Sequence, residues 1–288
     1  MEITAKLVKE LRERTDCGMM ECKKALVETN GDIDAAIDLM RKNGQAKADK
    51  KASRAAAEGM LLVRQEGTTA IIVEVNCETD FVTKNEDYLS FANEVADLII
   101  SNKPASIELV GSLPMRGKTV DEVRNDLISK IGENISVRRM ALLESDNILG
   151  VYTHGIRIAS IVELKGSDIE LAKDIAMHVA ASKPICLDSS EVPVELLDKE
   201  REIYSAQASE SGKPADIVAK MVEGRMRKYL EEVTLLGQNF VKDPDITVEK
   251  LLKSKNATVV KFIRFGLGEG VEIIKTDFAA EVMAQAGL

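Results

Sequence analysis

The sequence predicts an α+β protein, and three observations predict it. Helical periodicity fills the first fifty residues, the period changes to that of strands at Gly59, and from there strands and helices follow one another in an order that occurs twice. A length of 288 residues suits at least two domains with real cores. The chain carries 39 Lys plus Arg against 48 Asp plus Glu, a net charge of -9. That balance disfavours a nucleic-acid binder, which neutralises phosphates with a basic face. There is no Trp and aromatics total 3%, so base-stacking platforms are disfavoured and an exposed Phe becomes informative.

Residues 1–54 read as a three-helix bundle with a linker. Ile3, Leu7, Val8 and Leu11 have helical spacing, and Thr15 to Gly18 breaks it before Met19. Met20, Ala25 and Leu26 belong to a second helix that stops at Asn30-Gly31. Asp32 then caps a third, whose apolar stripe is Ile33, Ala36, Ile37 and Met40. Gly44 is expected to close this helix, leaving Lys47 to Arg54 as a basic, alanine-rich linker helix. A module this small suits docking better than catalysis.

Residues 55–146 read as the first half of a core. Met60 to Arg64 and Thr69 to Cys77 are β-branched runs around a short Gln65-Glu66-Gly67 turn. A helix over Tyr88 to Ile100, a second opened by the capping box Thr119-Val120-Asp121-Glu122, and a strand over Ile135 to Leu143 complete it. The second half, 147–183 with 238–270, repeats the order: strands at Leu149 to Thr153 and Arg157 to Leu164, helices at Ile169 to Ala181 and Val248 to Ser254, and a strand at Ala257 to Phe265. Residues 184–237 interrupt it with an inserted antiparallel coiled-coil hairpin. Pro193 and Pro214 suit the starts of its two helices, and Val218, Val222, Tyr229, Val233 and Leu236 approach a heptad seam. This hairpin is either a partner contact or a flap over its own sheet. Residues 271–288 are expected to form a C-terminal helix, capped by Thr276 or Asp277 with Phe278 and Val282 on one face.

Few residues are arranged for chemistry. Gly111 to Thr119 ends like a phosphate-binding loop but has five residues between its glycines where the motif needs four, so Thr119 reads as a helix cap. Cys17 and Cys22 lack the second Cys or His pair of a zinc site, so no metal and no cofactor are expected. Four irregularly spaced cysteines suit a reducing cytoplasm, and no uncharged run approaches the roughly 20 residues that span a bilayer. The N-terminus lacks a signal-peptide pattern. His178 reads as a packed or partly exposed helix residue. His154, in Tyr152-Thr153-His154-Gly155, sits at a hairpin tip, as a binding residue or as a plain turn histidine. The most informative feature is Thr79-Asp80-Phe81-Val82, where an apolar strand ends and a Phe follows at once in a polar loop. Such a Phe folds back onto its own core or enters a partner's slot beside its Asp.

These residues, with Gly18-Met19-Met20, Cys22-Lys23-Lys24-Ala25-Leu26, Asn30-Gly31-Asp32, His154-Gly155, Ile175 to Pro184, Met221 to Met226 and Phe262 to Gly270, resemble the translation elongation factor Ts family along essentially the whole chain. The resemblance implies a ubiquitin-associated-like bundle and a guanine-nucleotide exchange factor that binds elongation factor Tu, GDP-bound or nucleotide-free, with no covalent chemistry. It implies that Phe81 inserts between two helices of the partner's GTPase domain, while Asp80, within Thr79 to Val82, disturbs the partner's Mg²⁺. His154 would press on a neighbouring helix, and Met19, Met20 and Lys23 would hold the same domain. Whether the hairpin pairs such complexes into dimers stays open. A nucleotidase using the altered loop and an adaptor working through the bundle are the alternatives, and neither accounts for the Thr79 to Val82 loop together with the duplicated core.

Overall fold

The computed structural model describes residues 3–272, apart from Asp16, Ser167 and Ser211 and the side chains of Gln45, Lys47 and Asp49. The expected C-terminal helix, with its Thr276 to Phe278 triplet, lies outside the described residues beyond Glu272. The architecture is α+β with antiparallel sheets, as the alternating periods predict. The chain divides into two compact units, the first from 1–62, 73–140 and the described residues after 265, the second from 63–72 and 141–265. No helix of the described residues is long and apolar enough to cross a membrane.

The chain opens with α1 (Ala5–Thr15), α2 (Met19–Glu28) and α3 (Ile33–Ala52). Val8, Leu11, Cys22, Ala25, Leu26 and Ala36 form their shared buried cluster, the stripes that helical spacing predicts. Asp32 caps α3 by accepting a hydrogen bond from the Ala35 N–H at 3.0 Å. The expected stop at Gly44 is not observed: the expected linker helix is helical as far as Ala52, but as the unbroken continuation of α3. Glycine inside a helix costs only about 1 kcal/mol. Here Gly44 is buried against α5 (Val120–Ile131), where a Cβ on it would lie 3.4 Å from Ser129 Oγ, an ordinary contact distance. Arg41 of α3 pairs with Glu122 of α5 in the same seam.

β1 (Glu58–Glu66) and β2 (Thr69–Cys77) form the predicted hairpin, followed by α4 (Glu86–Asn102), the ribbon β3 (Pro114–Met115) and β4 (Lys118–Thr119), α5, and β5 (Ile135–Glu144). Every residue of β2 is buried, consistent with its central place in the sheet order β1-β2-β5. Thr119 forms the complete capping box with Glu122. Asp121 fills the space beside Gly111, its Oδ2 2.3 Å from where a Cβ would be, so a carboxylate stands where a phosphate loop would need open N–H groups. Glu74, fully buried on β2, is paired with Arg138 at 3.0 Å and Arg139 at 2.5 Å and accepts the Gly268 N–H at 2.9 Å. Two cations and a backbone donor offset the cost of desolvating that carboxylate.

The second unit repeats the plan. β6 (Ile148–His154) and β7 (Ile158–Lys165) pair with Val151 opposite Ile161, α6 (Ile169–Ser182) follows, and after the insertion come β8 (Asn239–Phe240), β9 (Asp243–Thr247), α9 (Val248–Ser254) and β10 (Thr258–Gly266). The sheet order β10-β7-β6 matches that of the first unit, with the second hairpin strand central in both. Each first helix ends on a left-handed lysine before proline, Lys103-Pro104 and Lys183-Pro184. Each later helix starts on a threonine cap, Thr119 or Thr247, at the end of a two-stranded ribbon. Gly150 lets α6 lie directly on β6, since a Cβ there would stand 2.2 Å from the Ala172 carbonyl carbon.

The insertion consists of α7 (Val194–Ser209) and α8 (Ala215–Val233), two helices packed on each other. Their buried residues are Ala208, Val222 and Met226, with Leu197, Tyr204, Val218 and Met221 around them. The expected seam is corrected at one end. Leu236 lies beyond α8 and packs into the core of the second unit.

Candidate partner-binding site

The predicted site residues occupy three places. Thr79 to Val82 form the tip between β2 and α4. The corresponding connection in the second unit runs only from Gly166 to Asp168, whereas here it runs from Glu78 to Asn85. The longer loop is therefore an addition to what the repeated fold requires. Val82 is buried and anchors the tip, while Phe81 is 79% exposed, a large aromatic surface left in water. Asp80 beside it is also exposed.

The backbone under Phe81 is held at each successive carbonyl. Cys77 donates its thiol hydrogen to the Thr79 carbonyl at 3.1 Å, and Thr83 donates from both N–H and hydroxyl to the Asp80 carbonyl at 3.2 and 2.6 Å. Lys84 N–H donates to the Phe81 carbonyl and Asn85 N–H to that of Val82. Burial pushes the Cys77 thiol up to about 12, with Glu133 as a further cause, so it stays a hydrogen-bond donor. The Asn85 side chain then caps α4 by accepting from Asp87 and Tyr88, and the Tyr88 hydroxyl donates to the Val75 carbonyl at 2.7 Å.

Glu133 and Glu78 were not singled out in the sequence. The Glu133 carboxylate accepts the Thr79 N–H at 2.9 Å and the Thr79 hydroxyl at 2.7 Å, one on each oxygen. Reciprocally, Glu78 Oε1 accepts the Asn134 N–H at 2.6 Å. Asn134 in turn donates its amide to the Arg54 carbonyl at 2.9 Å. Neither glutamate has a spacing signal relative to its partner fifty residues away.

The second place is the outer face of α2. Met19 and Met20 are 57% and 73% exposed, and Lys23 is exposed beside them. Val27, also exposed, belongs to the same stripe and was missed in the sequence, although it lies four residues from Lys23. At roughly 100° per residue these four share one face of the helix, with the buried Ala25 opposite and the buried Cys22 and Leu26 along the edge next to Met19.

His154 is the third. It ends β6 at the turn with the left-handed Gly155 and is exposed, followed by the half-exposed Ile156. Its Nδ1 lies 3.4 Å from the Tyr152 hydroxyl, two residues back on the same face of the strand. His178 is instead fully buried, which decides between the two readings of it.

The family model described as Elongation factor TS matches residues 78–269. The chain is 59% identical to Elongation factor Ts of Thioalkalivibrio sulfidiphilus over 99% of each chain, and 60% identical to that of Methylococcus capsulatus over 99% of each. The chain belongs to the elongation factor Ts family. Elongation factor Ts of Nitrosomonas eutropha is a further relative, 56% identical over 99% of this chain. Family membership places the chain in translation elongation and protein biosynthesis. The family model begins at Glu78, on the Phe81 tip, and runs through the second unit to Glu269.

Proposed function

We propose that this chain is a cytoplasmic guanine-nucleotide exchange factor that binds elongation factor Tu, displaces its Mg²⁺ and promotes GDP release so that GTP can reload. The observation that carries this reading is Phe81, exposed on a tip whose carbonyls are all bonded. A free apolar side chain on a rigid support loses little conformational entropy when a partner buries it. Asp80 beside it brings a carboxylate toward a site where the partner holds a cation, and a competing anion near Mg²⁺ perturbs its coordination. Met19, Met20 and Lys23 on α2, and His154 at the β6 turn, supply separate contacts. In this reading the bundle is ubiquitin-associated-like, the α7 and α8 pair is an antiparallel coiled coil, and no covalent step occurs.

Linkage supplies the mechanism. A factor that binds the empty GTPase more tightly than the GDP-bound one weakens GDP by the same factor. Weakening of about 10⁴-fold requires about 5.5 kcal/mol. Burying one Phe supplies about 1.5 to 3 kcal/mol. Several contacts must therefore act together, which fits separate contacts from α2, the Phe81 tip and the His154 turn. Stopped-flow release of fluorescent GDP from elongation factor Tu tests the reading. Phe81→Ala is expected to leave the factor's melting temperature nearly unchanged and to slow release by at least about tenfold. A large loss of the factor's own stability with wild-type release would make Phe81 a core residue and sink the mechanism.

A further inference from the structure

We propose that Glu133 is a positioning residue for nucleotide release, acting through the Phe81 tip by clasping Thr79. This rests on the reading of Phe81 given above. Glu133 follows the left-handed Gly132 that ends α5, in the connection to β5. Its two carboxylate oxygens take the two donors of Thr79, the residue two before Phe81. The Thr79 carbonyl is held by Cys77, so all three polar groups of Thr79 are bonded. The clasp is closed from the other side by Glu78 on the Asn134 N–H. Two adjacent residues of each segment thus exchange charge-assisted hydrogen bonds, a stronger class than neutral ones.

Such a double clasp fixes the direction in which the β2 strand leaves the sheet, and with it the aim of Phe81. The core does not need it, because the second unit makes the same strand-to-helix passage without an equivalent loop. A tip that must enter a slot depends on aim, and small misplacement costs rate far more than it costs fold stability. The Glu133 side chain is partly buried beneath the tip, while Phe81 is the exposed group.

The experiment measures fluorescent GDP release from elongation factor Tu over a range of factor concentrations, with full-length variants checked by thermal melting. Glu133→Ala is expected to lower the maximal release rate by roughly tenfold and leave the half-saturating concentration unchanged, since docking through α2 and the second unit is intact. Glu133→Gln should keep the rate within about threefold, because its amide oxygen accepts the Thr79 N–H and its NH₂ donates to the Thr79 hydroxyl. In a Phe81→Ala background, Glu133→Ala should add no further loss. Wild-type release by Glu133→Ala overturns the proposal. So does Glu133→Gln failing as badly as Glu133→Ala, which would make charge the acting property, and so does full additivity with Phe81→Ala. If Phe81→Ala itself releases GDP at the wild-type rate, the reading of the tip fails, and Glu133 falls with it. Should Glu133→Ala not fold, Thr79→Val removes only the hydroxyl bond and is expected to show a smaller loss with the same split. No loss there overturns the clasp.

Discussion

His178 carries two hydrogen bonds that fix its ring in one neutral form. The Val241 N–H donates to Nδ1 at 3.1 Å, so the proton sits on Nε2 and is donated to Gln238 Oε1 at 2.9 Å. Gln238 then donates to the carbonyls of Ser182 and Glu232, tying the end of α6 to the end of α8. Burial lowers the imidazole pKa below its ordinary value, against the opposing pull of the Gln238 bond. A folded-state pKa below the unfolded one means that the unfolded chain binds the extra proton first. The stabilisation is therefore complete above about pH 6.5, the unfolded value, and is lost as pH falls toward the lower folded value. Melting curves from about pH 8 to about pH 5 should show this decline. His178→Phe should cost about 1 to 3 kcal/mol at the upper end and flatten that part of the acid dependence. An unchanged acid slope in the variant would show that other groups carry it.

At the scale of elements, the unbroken passage of α3 through Gly44 is where its contact with α5 outweighs a local preference. Gly44 sits mid-helix at the seam, where Ser129 Oγ is 3.4 Å from a would-be Cβ. A methyl group fits that distance and improves helix propensity, so Gly44→Ala should stabilise the protein by up to about 1 kcal/mol. Gly44→Leu should overpack the seam and cost about 1 to 3 kcal/mol. Thermal or urea unfolding of the two variants checks both signs. If both are neutral, the seam is not a close contact in solution. The basic stretch after Gly44, helical by its own residues, packs along the same crossing: Ala48 is buried and Lys51 donates to the Ile128 carbonyl at 3.5 Å.

At the scale of the whole molecule, the proposed exchange role has the chain act on a nucleotide site in a partner and not on one of its own. The stretch most like a phosphate loop is a ribbon and a helix cap, with the Asp121 carboxylate against Gly111. A net charge of -9 adds a general repulsion to GDP and GTP. Equilibrium dialysis of the purified chain alone should show no GDP binding in the micromolar range, and chromatography should show no GTP hydrolysis. Micromolar affinity for GDP would instead favour exchange by transient transfer of nucleotide to the factor.

The sequence by itself determined the elements whose cause is local. Apolar, β-branched runs between turn residues specified β1, β2, β6 and β7, Thr119 and Asp32 specified helix starts, and repetition of the order specified the duplicated plan. It also singled out Phe81, because an aromatic residue in a polar loop of an aromatic-poor chain is visible without coordinates. The tertiary structure alone decided the continuation of α3 through Gly44, the burial of His178, the place of Leu236 in the core, and the clasp of Glu133 on Thr79. The passage of α3, the burial of His178 and the clasp depend on partners 54 to 85 residues away along the chain, which no local period or cap encodes. What aims Phe81 is a pair of carboxylates that read, in sequence, as ordinary surface charge.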